Sequence, residues 1–358
     1  MPYPAVPTPR LDRAGPVTAA SLPDAAPAAD PFRERRTRRH VACKQILGGR
    51  FRFESDSAEL LRLVESAYGS LPPQSLPGMS PDFLVELSLV TCGHHRRATE
   101  PPPVRTHGGA GLLCGTIDAS NYLVVSPQQR RALVVVSQDM LDWPYHVRYE
   151  LIEFAVYLLA ARGLGLVPLH GACAGRRGRG VLLLGASGAG KSTLALHALL
   201  HGLELLAEDA VFVQPSSLLA TGVANYLHLR GDILPLVDED TRAWIASSPI
   251  IHRRSGVAKF ELDLRRGRGR PADAPMELAA AVFVTSDQAR DGEALLAPVP
   301  THKIAGRMAA DQPYATGQYG WELFLRRLAS QGVYTLRRGR DPQASVDALQ
   351  RLFDGCLP

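Results

Sequence analysis

The chain has 358 residues, of which 46% are hydrophobic and 21% are charged, a balance typical of a globular protein with a sizeable core. Its formal net charge of +5 permits an acidic partner but does not indicate a nucleic-acid-binding protein. Five cysteines occur without a C-x-x-C pair or a His/Cys cluster at metal-ligand spacing, so we expect reduced, mostly buried thiols.

Membrane and secretory segments are not predicted. The most apolar stretch, residues 151–169, is interrupted by Glu153, Arg162 and three glycine or proline residues, which argues against a membrane helix. The first residues show no basic start followed by an apolar segment, so we expect no secretory signal. We therefore expect a cytoplasmic protein without a membrane partner.

Residues 1–40 are predicted to form a disordered tail. The segment is rich in proline, alanine and small polar residues and has no periodicity as far as about residue 31. It ends in a basic run made of Arg33, Arg35, Arg36, Arg38, Arg39 and His40. Such a run could contact a nucleic acid, an anionic membrane or an acidic partner, and a solvated arm is the favoured interpretation.

Residues 41–144 are predicted to form a smaller α+β N-terminal domain. Alternating or apolar runs predict strands at 50–54, 83–89, 122–125 and 133–136. Asp56 and Glu59 form a capping box before a helix whose apolar face ends at Gly69. We interpret His94, His95 and His107 as exposed rather than as metal ligands. The pattern leaves open a role in substrate docking or dimerisation.

Residues 145–358 are predicted to form an α/β domain that begins with a helix over 145–162, ended by Gly163. Next, His170 stands on the apolar stretch 166–173. A histidine in such a place is usually a satisfied core residue, but the position of His170 relative to the motifs that follow favours a catalytic role as strongly.

The run at 181–199 reads VLLLGASGAGKSTLALHAL and contains a complete P-loop (Walker A) motif, G-x-x-x-x-G-K-[ST], between a predicted strand and a predicted helix. Such a loop turns its backbone N–H groups and the helix N-terminus toward a phosphate group. The predicted nucleotide-binding residues are Gly185, Ala186, Ser187, Gly188, Ala189, Gly190, Lys191, Ser192 and Thr193. Lys191 is expected to reach the β/γ-phosphates of ATP, and the Ser192 hydroxyl to ligate Mg²⁺.

The next apolar stretch, 203–207, ends in Glu208 and Asp209. The carboxyl end of a strand beside a phosphate-binding loop is where a carboxylate can reach Mg²⁺ or an attacking hydroxyl. The chain resembles the bacterial HPr kinase/phosphorylase family in the order and spacing of three features: His170-Gly171, the glycine loop, and LAEDAV at 206–211. That family has a His-Gly pair, a G-x-S-G-x-G-K-S loop and an Ala-Asp-Asp-Ala-Val strand end.

The resemblance runs from residue 166 to the C-terminus and is specific between 170 and 211. It implies the P-loop kinase core shared with phosphoenolpyruvate carboxykinase, rather than the standard doubly wound sheet. It also implies that Glu208 is the base, that His170 polarises Glu208, and that Ser192 and Asp209 face the metal. Glu208 stands where the family has an aspartate. His228 begins a loose match to the family's Glu-Ile-Arg-Gly signature, which favours a substrate other than HPr.

Further along the chain, the sheet is expected to continue through residues 225–230. Arg230 and Lys259 are candidates for the positive charge that stabilises a transferring γ-phosphoryl group. The arginines between 253 and 270 are predicted to lie on a flexible basic loop near the active site. A strand at 279–285, a helix at 321–330, a strand at 333–336 and a last helix entered at Asp341 complete the pattern.

These motifs predict an ATP- and Mg²⁺-dependent kinase that transfers the γ-phosphoryl group to a hydroxyl, with a serine of a peptide or small protein as the favoured acceptor. Two alternatives stay open: a nucleotide-binding regulatory switch with little transfer, and a small-metabolite kinase or ATPase. The family resemblance also implies homo-oligomers. Composition and spacing do not identify the acceptor.

Overall fold

The computed structural model describes residues 39–78, 81–91, 99–290, 292–339 and 341–353. Within these ranges the chain has an α/β fold with three sheets, so the predicted α/β class is confirmed. The predicted tail, apart from Arg39 and His40, and the pair His94 and His95 lie outside the described residues. The boundaries proposed at 40/41 and 144/145 stay predictions.

The first sheet has seven strands and confirms the four strands predicted in this region. Its members are β1 His40–Ile46, β2 Gly49–Ser55, β3 Asp82–Val90, β4 Arg105–Gly109, β5 Leu112–Asp118, β6 Asn121–Ser126 and β7 Arg131–Ser137. They lie in the order β1-β2-β3-β7-β6-β5-β4, with β2, β3 and β7 parallel to one another. β1 and β4 are therefore the edges of this sheet.

Helix α1, Ala58–Tyr68, packs its apolar residues on this sheet, as the sequence predicts. Its cap differs from the prediction. The Ser57 hydroxyl accepts hydrogen bonds from the backbone N–H groups of Glu59, at 3.2 Å, and Leu60, at 3.5 Å. Because the helix begins at residue 58, Ser57 is the N-cap and Asp56 stands one position too early for that role.

The helix predicted at 145–162 consists of three segments. They are α2 Pro144–His146, a π-helical segment Val147–Glu153, and α3 Phe154–Gly163. Apolar periodicity cannot reveal a π-helical turn, because the wider turn changes the register by only one residue. The segment begins close to the predicted position, and its π-helical part contributes one residue to the candidate site described below.

The second sheet has ten strands. Its members are β8 Val167–His170, β9 Ala172–Arg176, β10 Arg179–Leu184, β11 Glu204–Ala207, β12 Ala210–Gln214, β13 Leu219–Gly222, β17 Arg270–Pro271, β18 Met276–Gln288, β19 Leu296–Pro298 and β20 Val333–Arg338. Eight of them lie in the order β17-β11-β9-β10-β18-β13-β12-β8, while β20 pairs with β18 and β19 pairs with β20. β10 runs parallel to β18 at the centre.

Strand β10 is buried on both faces, which explains its uninterrupted apolar sequence. Val181 and Leu183 belong to one core, together with apolar residues of helices α4 Lys191–Leu200 and α8 Pro342–Phe353. Leu182 and Leu184 belong to a second core, with residues of α6 Thr301–Asp311 and α7 Trp321–Gln331. The strands and helices predicted after residue 279 are confirmed.

A third sheet corrects the prediction that residues 225–230 continue the main sheet. β14 Tyr226–Leu229 pairs with β16 Ala258–Asp263, which also pairs with β15 Ile250–His252. Helix α5, Glu239–Ala246, lies between β14 and β15 in the chain. A strand pattern identifies a strand but not its partner, because the partner here is more than thirty residues away in sequence.

The segment 253–270 is not the single basic loop that the sequence predicts, although Arg253 does lie at the candidate site described below. The segment contains β16 and a short 3₁₀ turn, Leu264–Arg266. The Arg265 guanidinium forms two hydrogen bonds with Asp263, at 2.7 and 3.0 Å. Arg268 contacts Asp238, the N-cap of α5, and Asp240 in the first turn of that helix. The basic residues are held by nearby carboxylates and backbone carbonyls, which a charge count cannot show.

Among the described residues no helix is both long and apolar enough to cross a membrane. Of the three cysteines in the described part of the chain, Cys173 is buried, Cys114 is half-buried and Cys43 is exposed. The expectation of buried thiols therefore holds for Cys173 and not for Cys43.

Alkylation with iodoacetamide at pH 8 is expected to modify Cys43 and leave Cys173 unmodified. Burial raises the pKa of the Cys173 thiol to about 12, and the reactive form of cysteine is the thiolate. Mass spectrometry of the two peptides measures both rates, and the denatured chain serves as the control in which both cysteines react. Equal rates in the folded protein would contradict the buried position of Cys173.

Candidate functional site

A glycine loop, residues 185–190, connects β10 to α4, as the sequence predicts. Gly185 and Gly190 have φ angles of 126° and 103°, a region that favours glycine, and Gly190 is the N-cap of the helix. A Cβ at Gly185 would lie 2.5 Å from the carbonyl oxygen of Val284 on β18. The loop therefore requires glycine both for its backbone conformation and for its close approach to β18.

Lys191, the first residue of α4, is turned onto this loop and is only 9% exposed. Its ammonium group donates hydrogen bonds to the carbonyl oxygens of Gly185 and, at 3.2 Å, Ala186. Burial lowers the pKa of Lys191, although the nearby carboxylates of Asp311, Asp209 and Glu208 favour the charged form. The ammonium group is thus held by two carbonyl oxygens of the loop.

Glu208 follows β11 and is 7% exposed. The hydroxyl of Ser192, the second residue of α4, donates a hydrogen bond of 2.6 Å to Glu208 Oε1. The other carboxylate oxygen, Oε2, lies 3.2 Å from Nδ1 of His228 on β14. The partners of Glu208 are therefore Ser192 and His228, whereas the sequence predicts His170 as its partner.

His170 contacts Asp209 instead. Its Nδ1 lies 3.2 Å from Asp209 Oδ1, and also 3.2 Å from the backbone carbonyl oxygen of the same residue. The reason is the register of β8 and β12, which pairs His170 with Ala210. Glu208 and Asp209 lie in the bend between β11 and β12, and they present their carboxylates to different partners.

Two further groups surround Asp209. The Tyr149 hydroxyl, from the π-helical segment, donates a hydrogen bond of 2.5 Å to Asp209 Oδ2. An Arg253 guanidinium nitrogen lies 3.8 Å from the same oxygen, and this guanidinium also stacks over the Tyr149 ring. Burial alone would raise the pKa of Asp209, but the His170 ring, the Tyr149 hydrogen bond and Arg253 together lower it. Asp209 is thereby held as a carboxylate.

Sequence reasoning did not find Tyr149 or Arg253 as site residues. Tyr149 lies on a predicted helix, and the apolar pattern that predicts this helix does not distinguish Tyr149 from its neighbours. Arg253 is one of several arginines predicted to lie on a loop. Arg230, which the sequence predicts to be catalytic, has a 56% exposed side chain, and its Nε lies 3.8 Å from Asp232. In the described part of the chain, Arg230 shows no ion pair with Glu208 or Asp209.

A buried ionic network extends inward from Glu208. His228 Nε2 lies 3.3 Å from Glu261 Oε1, and Glu261 forms an ion pair with Arg148. Arg148 Nε in turn lies 3.3 Å from Glu153 Oε1. Burial alone would lower the pKa of His228, but its hydrogen bonds to the two glutamates raise it. The network therefore places the His228 ring between two carboxylates.

Replacing Glu261 with alanine is expected to lower the free energy of unfolding by about 3–5 kcal/mol, because it leaves Arg148 and His228 buried without their shared anion. Urea unfolding followed by circular dichroism measures the change. The control is Asp82→Asn, which breaks the exposed Arg50–Asp82 pair and is expected to leave the unfolding midpoint nearly unchanged. Equal midpoints for the wild type and the Glu261 variant would show that the network does not stabilise the fold.

An open groove of about 830 Å³ lies against Asp209. Its walls include His170, Tyr149, residues of α3 such as Phe154 and Leu158, and the segment that contains β4. A second cavity of about 1510 Å³ is lined by Arg148 and Glu261. Asp209 therefore faces the groove, whereas Glu261 faces the second cavity.

The donor set beside the loop fits a hard divalent cation. No cluster of three or more His, Cys, Asp or Glu side chains that could hold a metal occurs in the residues that the structure describes. Mg²⁺, however, is usually bound through one or two carboxylates together with substrate phosphates and water. The Ser192 hydroxyl and the Glu208 carboxylate, 2.6 Å apart at the N-terminus of α4, provide such oxygen donors.

Fold and site together define an α/β protein in which a glycine loop at a helix N-terminus lies beside a buried carboxylate, Glu208, and a half-buried one, Asp209. No family model matches the chain. Part of the chain is similar to a protein named HPr kinase/phosphorylase from Geobacter sulfurreducens, with 34% identity over 92 residues. The match covers 24% of this chain and 29% of the Geobacter protein. The chain therefore spans less than a third of the length of that relative.

Proposed function

We propose that the chain is an ATP- and Mg²⁺-dependent kinase that transfers the γ-phosphoryl group to a hydroxyl, with a serine of a peptide or small protein as the favoured acceptor. The main support is the position of Asp209, which follows Glu208, the acid hydrogen-bonded to Ser192 of the loop helix, and which also lines the open groove. A nucleotide on the loop and an acceptor in the groove would meet at this carboxylate. The partial similarity to an HPr kinase/phosphorylase supports the same activity.

By this proposal the second sheet belongs to a P-loop kinase core of the type shared by HPr kinase and phosphoenolpyruvate carboxykinase. The backbone N–H groups of residues 185–193 would hold the phosphates, and Lys191 would pair with the β/γ-phosphates. Ser192 and Glu208 would hold Mg²⁺, which neutralises charge on the phosphates when bound. The hydrogen bond between these two side chains favours Glu208 over Asp209 as the main metal-facing acid.

Asp209 is then the acceptor of the hydroxyl proton, exchanging roles with Glu208 relative to the sequence-based assignment. The acceptor oxygen forms a bond to the γ-phosphorus as the bond from phosphorus to the β–γ bridging oxygen breaks. The hydroxyl proton passes to the Asp209 carboxylate, and ADP leaves. His170 and Tyr149 orient this carboxylate, since both contact it directly.

Arg253 takes the role first given to Arg230. Negative charge spreads over the equatorial oxygens of a transferring phosphoryl group and is stabilised by a nearby cation. The Arg253 guanidinium lies beside Asp209 and the Tyr149 ring, whereas the Arg230 side chain is exposed. The domain limits, a homo-oligomeric state and a cytoplasmic location stay predictions.

The test is transfer of labelled γ-phosphate from ATP, with Mg²⁺ present, to host lysate separated into small molecules, peptides and proteins. We expect label in the peptide or protein fraction. Label in small molecules alone would favour a metabolite kinase, and release of labelled phosphate to water would favour an ATPase. ATP binding without any label would contradict the kinase and favour a nucleotide-binding switch.

A further inference from the structure

The groove beside Asp209 has two unlike walls. One consists of aromatic and apolar side chains from the π-helical segment and α3, including Tyr149, Phe154 and Leu158. The other comes from the segment 103–108, which includes most of β4 and contributes Pro103, Val104, Thr106, His107 and Gly108. Its volume of about 830 Å³ lies in the upper part of the range of about 300–1,000 Å³ that is usual for small-molecule pockets. An occupant larger than a simple metabolite fits this space.

Two adjacent arginines connect this second wall to the carboxylate. Arg253 lies beside Asp209, as described above. Arg254 donates hydrogen bonds to the backbone carbonyl oxygens of Pro101 and, at 3.2 Å, Pro102. Its Nε also donates a 2.7 Å hydrogen bond to Glu150, the neighbour of Tyr149. The segment that leads into β4 is therefore tied to the same β15–β16 connection that contacts Asp209.

β4 has the features of a strand that can accept another strand. It pairs with β5 on one side, and no strand among the described residues pairs with its other side. All five of its residues are exposed. Gly108, which lines the groove, carries no side chain, and this allows another backbone to approach closely. An edge strand presents unpaired N–H and C=O groups, and an extended peptide can satisfy them by pairing alongside it.

We propose that the acceptor is a peptide segment that binds in extended conformation along the free edge of β4, with its serine side chain directed at Asp209. This inference rests on the proposed kinase function. Backbone pairing with β4 would hold the peptide, and the wall formed by Tyr149, Phe154 and Leu158 would receive side chains from one of its faces. Its serine oxygen bonds to the γ-phosphorus of ATP, and its hydroxyl proton passes to Asp209.

The first test compares two neighbouring glycines of β4. Gly108 lines the groove, and a Cβ there would lie 3.5 Å from Leu113, an ordinary contact. Gly109 is not part of the lining, and a Cβ there would meet nothing within 4 Å. Neither glycine has a positive φ angle, so valine is compatible with both positions. Gly108→Val fills the groove, and Gly109→Val is its matched control.

The assay uses synthetic nonapeptides with a central serine and varied flanking residues, and the best acceptor is then studied singly. We expect Gly108→Val to lower kcat/KM for this peptide by about tenfold or more, and Gly109→Val to change it by less than about twofold. ATP affinity, measured by calorimetry, should be the same in the wild type and both variants. Unimpaired phosphorylation of the peptide by Gly108→Val would overturn the groove assignment and leave the kinase proposal intact.

The second test methylates the peptide's backbone nitrogens one at a time. Strand pairing predicts that kcat/KM falls about tenfold at every second position, because alternate N–H groups of an extended peptide point at β4. Uniform effects along the peptide would overturn pairing with β4. A wild-type chain that labels small hydroxyl compounds but no peptide would overturn this inference alone, whereas one that binds ATP and labels nothing would overturn the kinase proposal as well.

Discussion

Lys191→Ala is expected to lower the rate of labelled phosphate transfer by about 100- to 1,000-fold, because it removes a preorganised cation from the place where phosphate charge develops. Lys191 is the cation that the fold directs at the glycine loop, where its ammonium group already contacts two backbone carbonyl oxygens. Initial rates at saturating ATP and Mg²⁺ measure the effect. Circular dichroism of both proteins checks that helix α4 is retained.

The control for this variant is Lys303→Ala. Lys303 lies exposed on α6, so its replacement removes the same charge without touching the loop. We expect the transfer rate of the Lys303 variant to equal that of the wild type. A Lys191 variant that keeps nearly full activity would show that the loop does not serve catalysis, whatever nucleotide it binds.

The second large effect is expected from Asp209→Asn, which keeps the size of the side chain but cannot accept the hydroxyl proton. A positioned general base contributes about 10²–10⁴-fold in rate. We therefore expect a loss of that order in kcat, with ATP affinity retained. The measurement is single-turnover transfer to the acceptor, followed alongside equilibrium binding of ATP.

Glu208→Gln separates the two assignments of the acids. If Glu208 faces Mg²⁺ together with Ser192, the variant needs a higher Mg²⁺ concentration for half-maximal activity and regains much of its rate at high Mg²⁺. If Glu208 is the base, the variant stays inactive at every Mg²⁺ concentration while Asp209→Asn responds to added Mg²⁺. A Mg²⁺ titration of both variants thus decides between the geometry-based roles and those implied by the family resemblance.

The groove experiments test where the acceptor binds, whereas the variants above test which groups carry out phosphoryl transfer. The variants of Lys191, Asp209 and Glu208 change groups at the point of phosphoryl transfer, whereas Gly108 lies on a groove wall and Gly109 beside it does not. A kinase that loses activity in the first set but is unaffected by Gly108→Val would still be a kinase, with its acceptor bound elsewhere. The two sets of results can therefore be interpreted separately.

Much of the local structure was predictable from the sequence. The buried strand β10, the glycine loop and helix α4 follow one another without interruption, so apolar periodicity and turn chemistry over about twenty residues identify all three. The position of Glu208 and Asp209 just after a strand was likewise predictable, because the apolar run before them has the length of a buried strand. Gly202 and Gly332 lie just beyond the ends of α4 and α7, where glycine adopts positive φ angles at low cost.

Only the tertiary structure decided which residues meet at the two acids. The pairing of β8 with β12 sets His170 beside Asp209. His228 comes to Glu208 from another sheet, in which β14 pairs with β16. Tyr149 and Arg253 reach Asp209 from elements 60 and 44 residues away in the chain. Local sequence patterns determine strands, helices and turns, because these depend on residues within a few positions of one another. Strand partners and registers depend instead on how apolar faces and buried charges from distant parts of the chain pack and pair with one another. A local pattern does not contain that information.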